Sequence, residues 1–309
     1  MQGFPKKDYK LFKSIVSLTQ KELHIFLYNV LQKKYNNIIN ADKYLIAIGD
    51  IPVGLIAHMD TVFKSPPRQI YFDNDFWTFW SPDGLGADDR AGIYIILKIL
   101  QTNLRPTIIF TEDEEIGGIG ASKLVKNFPK PPTDLKYLIQ LDRRNDNDAV
   151  FYDCGNVDFI KYIESFGFKY ADGLFSDISI ICPYWNLAGV NLSVGYNNEH
   201  SYIETCNIKA TERVFKKIYK ILSRKNHKYY DYQELDSNWL IYDEKCDGCK
   251  QVFFDYEMIP VDFKDGSRKY FCPDCAAKKV DWCQKCGSPF LKKKNKKICY
   301  RCYNSREKK

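Results

Sequence analysis

Leu55-Ile56-Ala57-His58-Met59-Asp60-Thr61-Val62, followed further on by Gly86-Ala87-Asp88-Asp89-Arg90-Ala91-Gly92, is the stretch whose reading decides the fold. The apolar run from Val53 to Ala57 reads as a buried strand that delivers His58 and Asp60 to its end. One residue separates the two, so on a strand they share a face. A metal-binding histidine needs a carboxylate to hold its ring, and His-x-Asp at a strand end supplies both. By itself the same motif also fits a turn with an Asp-Thr cap. Asp88 and Asp89 likewise fit a helix cap when taken alone.

Outward from this stretch, strands alternate with helices. Lys7 to Tyr35 reads as two helices, with Thr19 and Glu22 in a capping-box pattern ahead of the stripe Leu23, Phe26, Leu27, Val30, Leu31. Strands are expected at Lys43–Ile48, Val53–His58, Thr107–Thr111, Tyr137–Asp142, Ala149–Tyr152 and Gly189–Val194. Arg68–Phe72 and Phe76–Ser81 flank Asp73-Asn74-Asp75, a hairpin signal. Helices are expected at Asp89–Leu100, Gly120–Asn127, Val157–Phe166, Ser176–Cys182 and Lys209–Ser223. The alternation predicts a three-layer α/β/α domain on a mixed sheet over residues 1–224. Residues 225–244 read as a polar linker, and 245–309 as a small cysteine-rich tail.

The chemistry-bearing residues fall where strands end. Thr111-Glu112-Asp113-Glu114-Glu115-Ile116-Gly117-Gly118 follows one apolar strand; of two adjacent glutamates, one can bind a metal while the other reaches a water. An acidic helix N-terminus is the plainer reading of that run. Asp142 ends the strand Leu138-Ile139-Gln140-Leu141, and His200 follows a third strand in Tyr196-Asn197-Asn198-Glu199-His200-Ser201. His58, Asp88, Glu115, Asp142 and His200 then gather at the carboxyl ends of strands, where open α/β sheets bind ligands. Five such donors are too many for one zinc and suit two ions about 3.5–4 Å apart that share a carboxylate.

The segments His58-Met59-Asp60-Thr61-Val62, Gly86-Ala87-Asp88-Asp89-Arg90-Ala91-Gly92 and Asp113-Glu114-Glu115-Ile116-Gly117 resemble the di-zinc exopeptidases, the group of peptidase T, carboxypeptidase G and the bacterial leucyl aminopeptidases. The resemblance spans roughly residues 50–220 and implies a phosphorylase/hydrolase-like α/β fold. It implies that His58 and Asp142 complete one zinc site, Glu115 and His200 the other, and that Asp88 bridges them. Glu114 becomes the general base and Asp60 the residue that orients His58. A cis peptide between Asp88 and Asp89 is implied as well. The chain departs from peptidase T in one respect: only 57 residues separate Asp142 from His200, too few for a lid domain. Phe175-Ser176-Asp177 and Ala188-Gly189-Val190-Asn191-Leu192 resemble elements of the compact, lid-less aminopeptidases.

The expected reaction is zinc-dependent hydrolysis of peptide or amide bonds in small peptides, of the aminopeptidase type. A carboxypeptidase or an N-acyl amino acid deacylase would use the same zinc pair. Arg143 and Arg144, next to Asp142, are candidates for holding a substrate carboxylate, and equally for scaffold arginines.

The tail carries four Cys-x-x-Cys pairs. Cys246/Cys249 and Cys272/Cys275 have 22 residues between them; Cys283/Cys286 and Cys299/Cys302 have 12. Each quartet suits a tetrahedral structural zinc, giving two sequential ribbons, with interleaved pairing as the alternative. With two catalytic ions, the chain should hold four zincs. Tyr242, Phe253, Phe254, Tyr256, Phe263 and Tyr270 are candidates for a small core around the first ribbon. The net charge of +7 lies wholly in residues 241–309, which hold 17 Lys+Arg against 10 Asp+Glu. Lys292, Lys293, Lys294, Lys296, Lys297 and Arg301, with Tyr300 and Tyr303, leave open a nucleic-acid partner, a protein partner, or a solubilising tail. A non-catalytic zinc-ribbon binding protein is the reading from another class. No run approaches the roughly 18 apolar residues of a membrane span, and Met1 to Lys10 is polar, so a cytoplasmic protein without a membrane partner is expected.

Overall fold

The computed structural model describes residues 6–235, 243–254, 258–263, 265, 267–293 and 296–304. The chain divides into two units, residues 1–234 and 235–309. In the first unit the order is α1 (Lys6–Val16), α2 (Gln20–Gln32), β1 (Asn37–Ala41), β2 (Tyr44–Ile48), β3 (Ile51–His58), β4 (Tyr71–Asp73), β5 (Thr78–Trp80), α3 (Ala87–Leu100), β6 (Pro106–Thr111), α4 (Ile119–Asn127), β7 (Tyr137–Arg143), β8 (Asp148–Val150), α5 (Val157–Glu164), β9 (Lys169–Tyr170), α6 (Asp177–Trp185), β10 (Gly189–Ser193), β11 (Tyr196–Asn197), β12 (Thr205–Asn207) and α7 (Ile208–Leu222).

Strand periodicity sorts the side chains onto two faces. Leu45 and Ala47, Val53, Leu55 and Ala57, Ile108 and Phe110, and Ile139 and Leu141 join one core with residues of α1, α2, α3, α5 and α7. Their alternates, Tyr44, Ile46, Ile56, Ile109 and Leu138, join a second core with α4 and α6. Three layers result. The strands order β1-β2-β6-β3-β7-β10-β8-β9 in a mixed sheet, with β6, β3, β7 and β10 mutually parallel. The carboxyl ends of those four therefore lie along one edge. Among the described residues no helix is long and apolar enough to cross a membrane.

Local signals behave as the residues dictate. Thr19 Oγ1 accepts from the Glu22 N–H, and Glu22 Oε2 accepts from the Thr19 N–H at 2.9 Å, closing the capping box. Asp73 Oδ1 accepts from the Asp75 and Phe76 N–H groups, which turns the chain between β4 and β5. Helix α3 is apolar nearly all round because it is buried between β7 and the outer helices α1 and α7. Gly92 makes that approach feasible: a Cβ there would lie 1.8 Å from the Leu141 carbonyl oxygen, a backbone atom that cannot yield.

The polar stretch after Arg224 does not begin a linker. Residues 225–234 run back over the first unit: the Ala188 N–H donates to the Tyr230 carbonyl at 2.9 Å, and the Tyr230 N–H to the Lys136 carbonyl at 3.0 Å. Tyr230 is buried against Tyr137, Phe159 and Tyr162. Its neighbours are polar because they face out, so composition alone hides the strap.

The second unit contains β13 (Asp243–Lys245), β14 (Val252–Phe254), β15 (Ile259–Asp262), β16 (Arg268–Phe271), α8 (Pro273–Lys279), β17 (Val280–Trp282), β18 (Pro289–Leu291) and α9 (Tyr300–Asn304). The strands pair as three antiparallel hairpins. The cysteines group sequentially, Cys246/Cys249/Cys272/Cys275 and Cys283/Cys286/Cys299/Cys302, each set with its sulfurs within 4.8 Å of one another. Small apolar clusters of Met258 with Tyr270, and of Val261, Phe263, Phe271 and Val280, surround the first quartet. Tyr242 and Tyr256 lie outside the described residues, as do the side chains of Phe253 and Phe254.

Candidate metal centre

Five donors converge at the carboxyl edge of the sheet. His58 is the last residue of β3, Asp88 begins α3, Glu115 follows β6, Asp142 lies at the end of β7, and His200 sits in the loop after β11. His58 Nε2 is 3.2 Å from Asp88 Oδ1 and 3.4 Å from Asp142 Oδ1. His200 Nε2 is 3.1 Å from Asp88 Oδ2 and 3.0 Å from Glu115 Oε2. Asp88 thus turns one oxygen to each triad. A tetrahedron with bonds of about 2.0–2.1 Å has edges of roughly 3.3 Å, which is how far apart ligands of one zinc lie. The spacing of both triads fits that figure.

The charges fit a cation too. Asp60, Asp88, Glu114, Glu115 and Asp142 crowd a largely buried space with two imidazoles. Burial, with the negative charge of Asp88, pushes Asp142 up to about 7. Burial pushes Glu114 up to about 9. Hydrogen bonding to Asp88 and Glu115 pushes His200 up to about 11. His58 is raised despite its burial, because Asp142, Asp60 and Asp88 face it. Glu115 Oε1 is buried without a hydrogen-bond partner. A carboxylate oxygen without a donor, inside a cluster of excess acid, is the donor set of a divalent cation site.

Several residues hold the donors in place. Asp60 Oδ1 lies 3.3 Å from His58 Nδ1, though off the hydrogen-bonding direction. Its firmer contacts are with the backbone: Oδ1 accepts from the Glu114 N–H at 3.1 Å and Oδ2 from the Glu115 N–H at 3.0 Å. Asp60 therefore fixes both glutamates as well as facing the histidine. Asp89, fully buried, accepts from the His58 and Gly92 N–H groups. Asn191 accepts from the Asp142 N–H and donates to its carbonyl. Ser176 and Tyr196 hydroxyls donate to the Asp142 carboxylate at 3.4 and 3.3 Å. The Asp88–Asp89 peptide is cis.

Glu204 is the brace that sequence reading overlooks. It is 1% exposed, and its two oxygens accept from the Gly86 and Asp88 N–H groups. The only signal for it is its position four residues after His200, in the same loop. Glu204→Gln puts an amide N–H where an acceptor is needed, so Asp88 loosens. Affinity for metal at the first unit is expected to fall about 10–100-fold, measured by chelator competition. An unchanged affinity would remove Glu204 from the site's support.

The donors open into a cleft of about 540 Å³ whose walls include Arg143, Arg144, Tyr152, Phe175 and Glu199. Arg144 Nη1 donates to Glu199 Oε1 at 3.0 Å. Arg143 Nη2 donates to the Asp172 carbonyl, and its buried Nε, without a hydrogen bond, lies 3.9 Å from Asp148 Oδ2.

No protein-family model and no curated protein matches the sequence. Solved structures do match. A tripeptidase from Staphylococcus aureus superposes with a TM-score of 0.59 at 16% identity, over 72% of this chain and 98% of that one. The aminopeptidase PepT from Bacillus cereus gives 0.57 at 15%, over 71% and 98%. A TET aminopeptidase from a marine-sediment thaumarchaeon gives 0.55 at 11%, over 72% and 98%. At such identities the likeness carries the fold alone: the first unit has the fold that these tripeptidase and aminopeptidase structures share.

Proposed function

We propose that the first unit is a zinc-dependent exopeptidase that releases residues from the amino ends of small peptides. The observation that carries this is Asp88, whose two oxygens each face a separate His–carboxylate pair. His58 and Asp142 would hold one zinc, His200 and Glu115 the other, and Asp88 both. Zinc held by these residues would supply a water of near-neutral pKa and a Lewis acid for the scissile carbonyl. Glu114 takes up the proton and hands it to the leaving nitrogen; burial has already raised its proton affinity. Asp60 keeps Glu114 and Glu115 in their separate roles by binding both of their N–H groups. Both cysteine quartets would hold structural zinc.

Arg143 favours a second reading. It lines the cleft, and Asp148, 3.9 Å from its Nε, is a long-range partner that leaves the guanidinium able to take a substrate carboxylate. Arg144 is the weaker candidate because it donates to Glu199 at 3.0 Å, a closer pair than the 3.9 Å one between Arg143 and Asp148. A carboxylate anchor suits a carboxypeptidase or an N-acyl amino acid deacylase on the same zinc pair. Tripeptides blocked at either end separate the readings. The aminopeptidase reading expects N-acylation to abolish hydrolysis and C-terminal amidation to be tolerated. The reverse pattern would transfer the assignment to the carboxypeptidase or deacylase.

A further inference from the structure

The charge of the chain is concentrated in its last ribbon. Residues 283–309 hold 10 Lys+Arg and a single acidic residue, leaving 36 Lys+Arg against 38 Asp+Glu in residues 1–282. Charge alone would be a solvated surface. What distinguishes this ribbon is that its lysines stand beside exposed aromatic faces and a cavity. Lys292, Lys293, Lys296 and Lys297 are exposed just past β18. Tyr303, in α9, is 52% exposed. A cavity of about 460 Å³ in this unit is walled by Phe263, Phe290, Tyr300, Tyr303, Lys293 and Lys296. Lys296 Nζ sits over the Tyr303 ring, 5.4 Å from its centroid. Two acids, Asp262 and Asp265, also border the cavity, and Arg268 is paired with Asp262 at 2.7 Å.

We propose that this ribbon binds single-stranded nucleic acid, with phosphates at the lysines and a base against the aromatic wall of the cavity. A duplex could use only the lysines, because its bases are stacked away from any aromatic face. An acidic peptide without aromatic side chains could likewise use only the lysines, with no flat ring to offer Tyr303. Juxtaposed cations and exposed aromatic faces are the combination that sequence-tolerant single-strand binders use. This inference does not depend on the reaction of the first unit.

The test is fluorescence anisotropy of a labelled single-stranded oligonucleotide of about 16 nucleotides with the full zinc-loaded chain. Four lysines engaging phosphates give a slope of log K against log salt of about −3. Lys293→Glu with Lys296→Glu should weaken binding and flatten that slope. Tyr303→Ala should weaken binding about tenfold at unchanged slope, whereas Tyr303→Phe should retain it. Zinc content of each variant, measured alongside, verifies that the ribbon is still folded. Equal affinity for duplex, or for polyglutamate, would overturn the proposal in favour of a general polyanion surface. So would a Tyr303→Ala variant that retains its zinc and binds as tightly as the parent.

Discussion

Glu114→Gln is expected to lower peptide turnover by about 10²–10⁴-fold while both metals of the first unit remain bound. The substitution keeps the size of the side chain and leaves the N–H that donates to Asp60 untouched. It removes only the group that accepts a proton. Glu115→Gln should behave differently. Glu115 Oε2 faces His200 and its other oxygen is buried without a donor, so a neutral amide there weakens one metal rather than the proton transfer. Metal content and turnover measured together distinguish the two. Normal turnover in Glu114→Gln, or full metal affinity in Glu115→Gln, would reverse or dismiss the assignment of base and ligand.

The second large effect is on the tail. Its apolar clusters comprise only a few side chains each, such as Val261, Phe271, Ala276 and Val280. Cores of that size do not hold a chain folded without a staple. Structural zinc contributes on the order of 10–16 kcal/mol in small zinc domains. Cys272→Ser, which removes a buried sulfur from the first quartet, should therefore unfold the first ribbon and release one zinc. Hydrogen exchange should show lost protection in β15, β16 and α8 of the first ribbon and native protection in the sheet of the first unit. The parent chain should hold about four zincs, two per unit. Protection of the ribbon that survives Cys272→Ser would contradict a structural role for its metal.

What the sequence made legible follows from physical distance along the chain. His58 and Asp142 lie at the ends of β3 and β7, and Glu115 and His200 follow β6 and β11, so the strand pattern points these four to one edge, whereas Asp88 opens helix α3 and is placed by the motif around it. Residues that act by bracing were harder to see. Glu204 contacts Gly86 and Asp88 across 118 and 116 positions, and nothing in its neighbourhood marks it as an acceptor for their N–H groups. Asp60 was expected to orient His58, and its contacts with two backbone N–H groups of the β6 loop emerge only once β3 and β6 lie side by side. The strand Asn37–Ala41 escapes sequence reading because Asn37 and Asn40 interrupt the apolar alternation; it is an edge strand, paired on one side only. The short pair β11 and β12 gave no periodic signal at two and three residues. The strap at 225–234 reads as linker by composition because its packing rests on a few scattered side chains, Tyr230, Tyr232 and His227, among polar neighbours.

The central claim, that the first unit hydrolyses peptides with a metal pair, has one direct measurement. Metal-free full chain is titrated with zinc while hydrolysis of an unblocked tripeptide is followed. The account predicts no hydrolysis without metal, and activity that rises to a plateau as the two ions of the first unit are taken up. A chain that binds both ions and cleaves neither unblocked nor end-blocked peptides would contradict it.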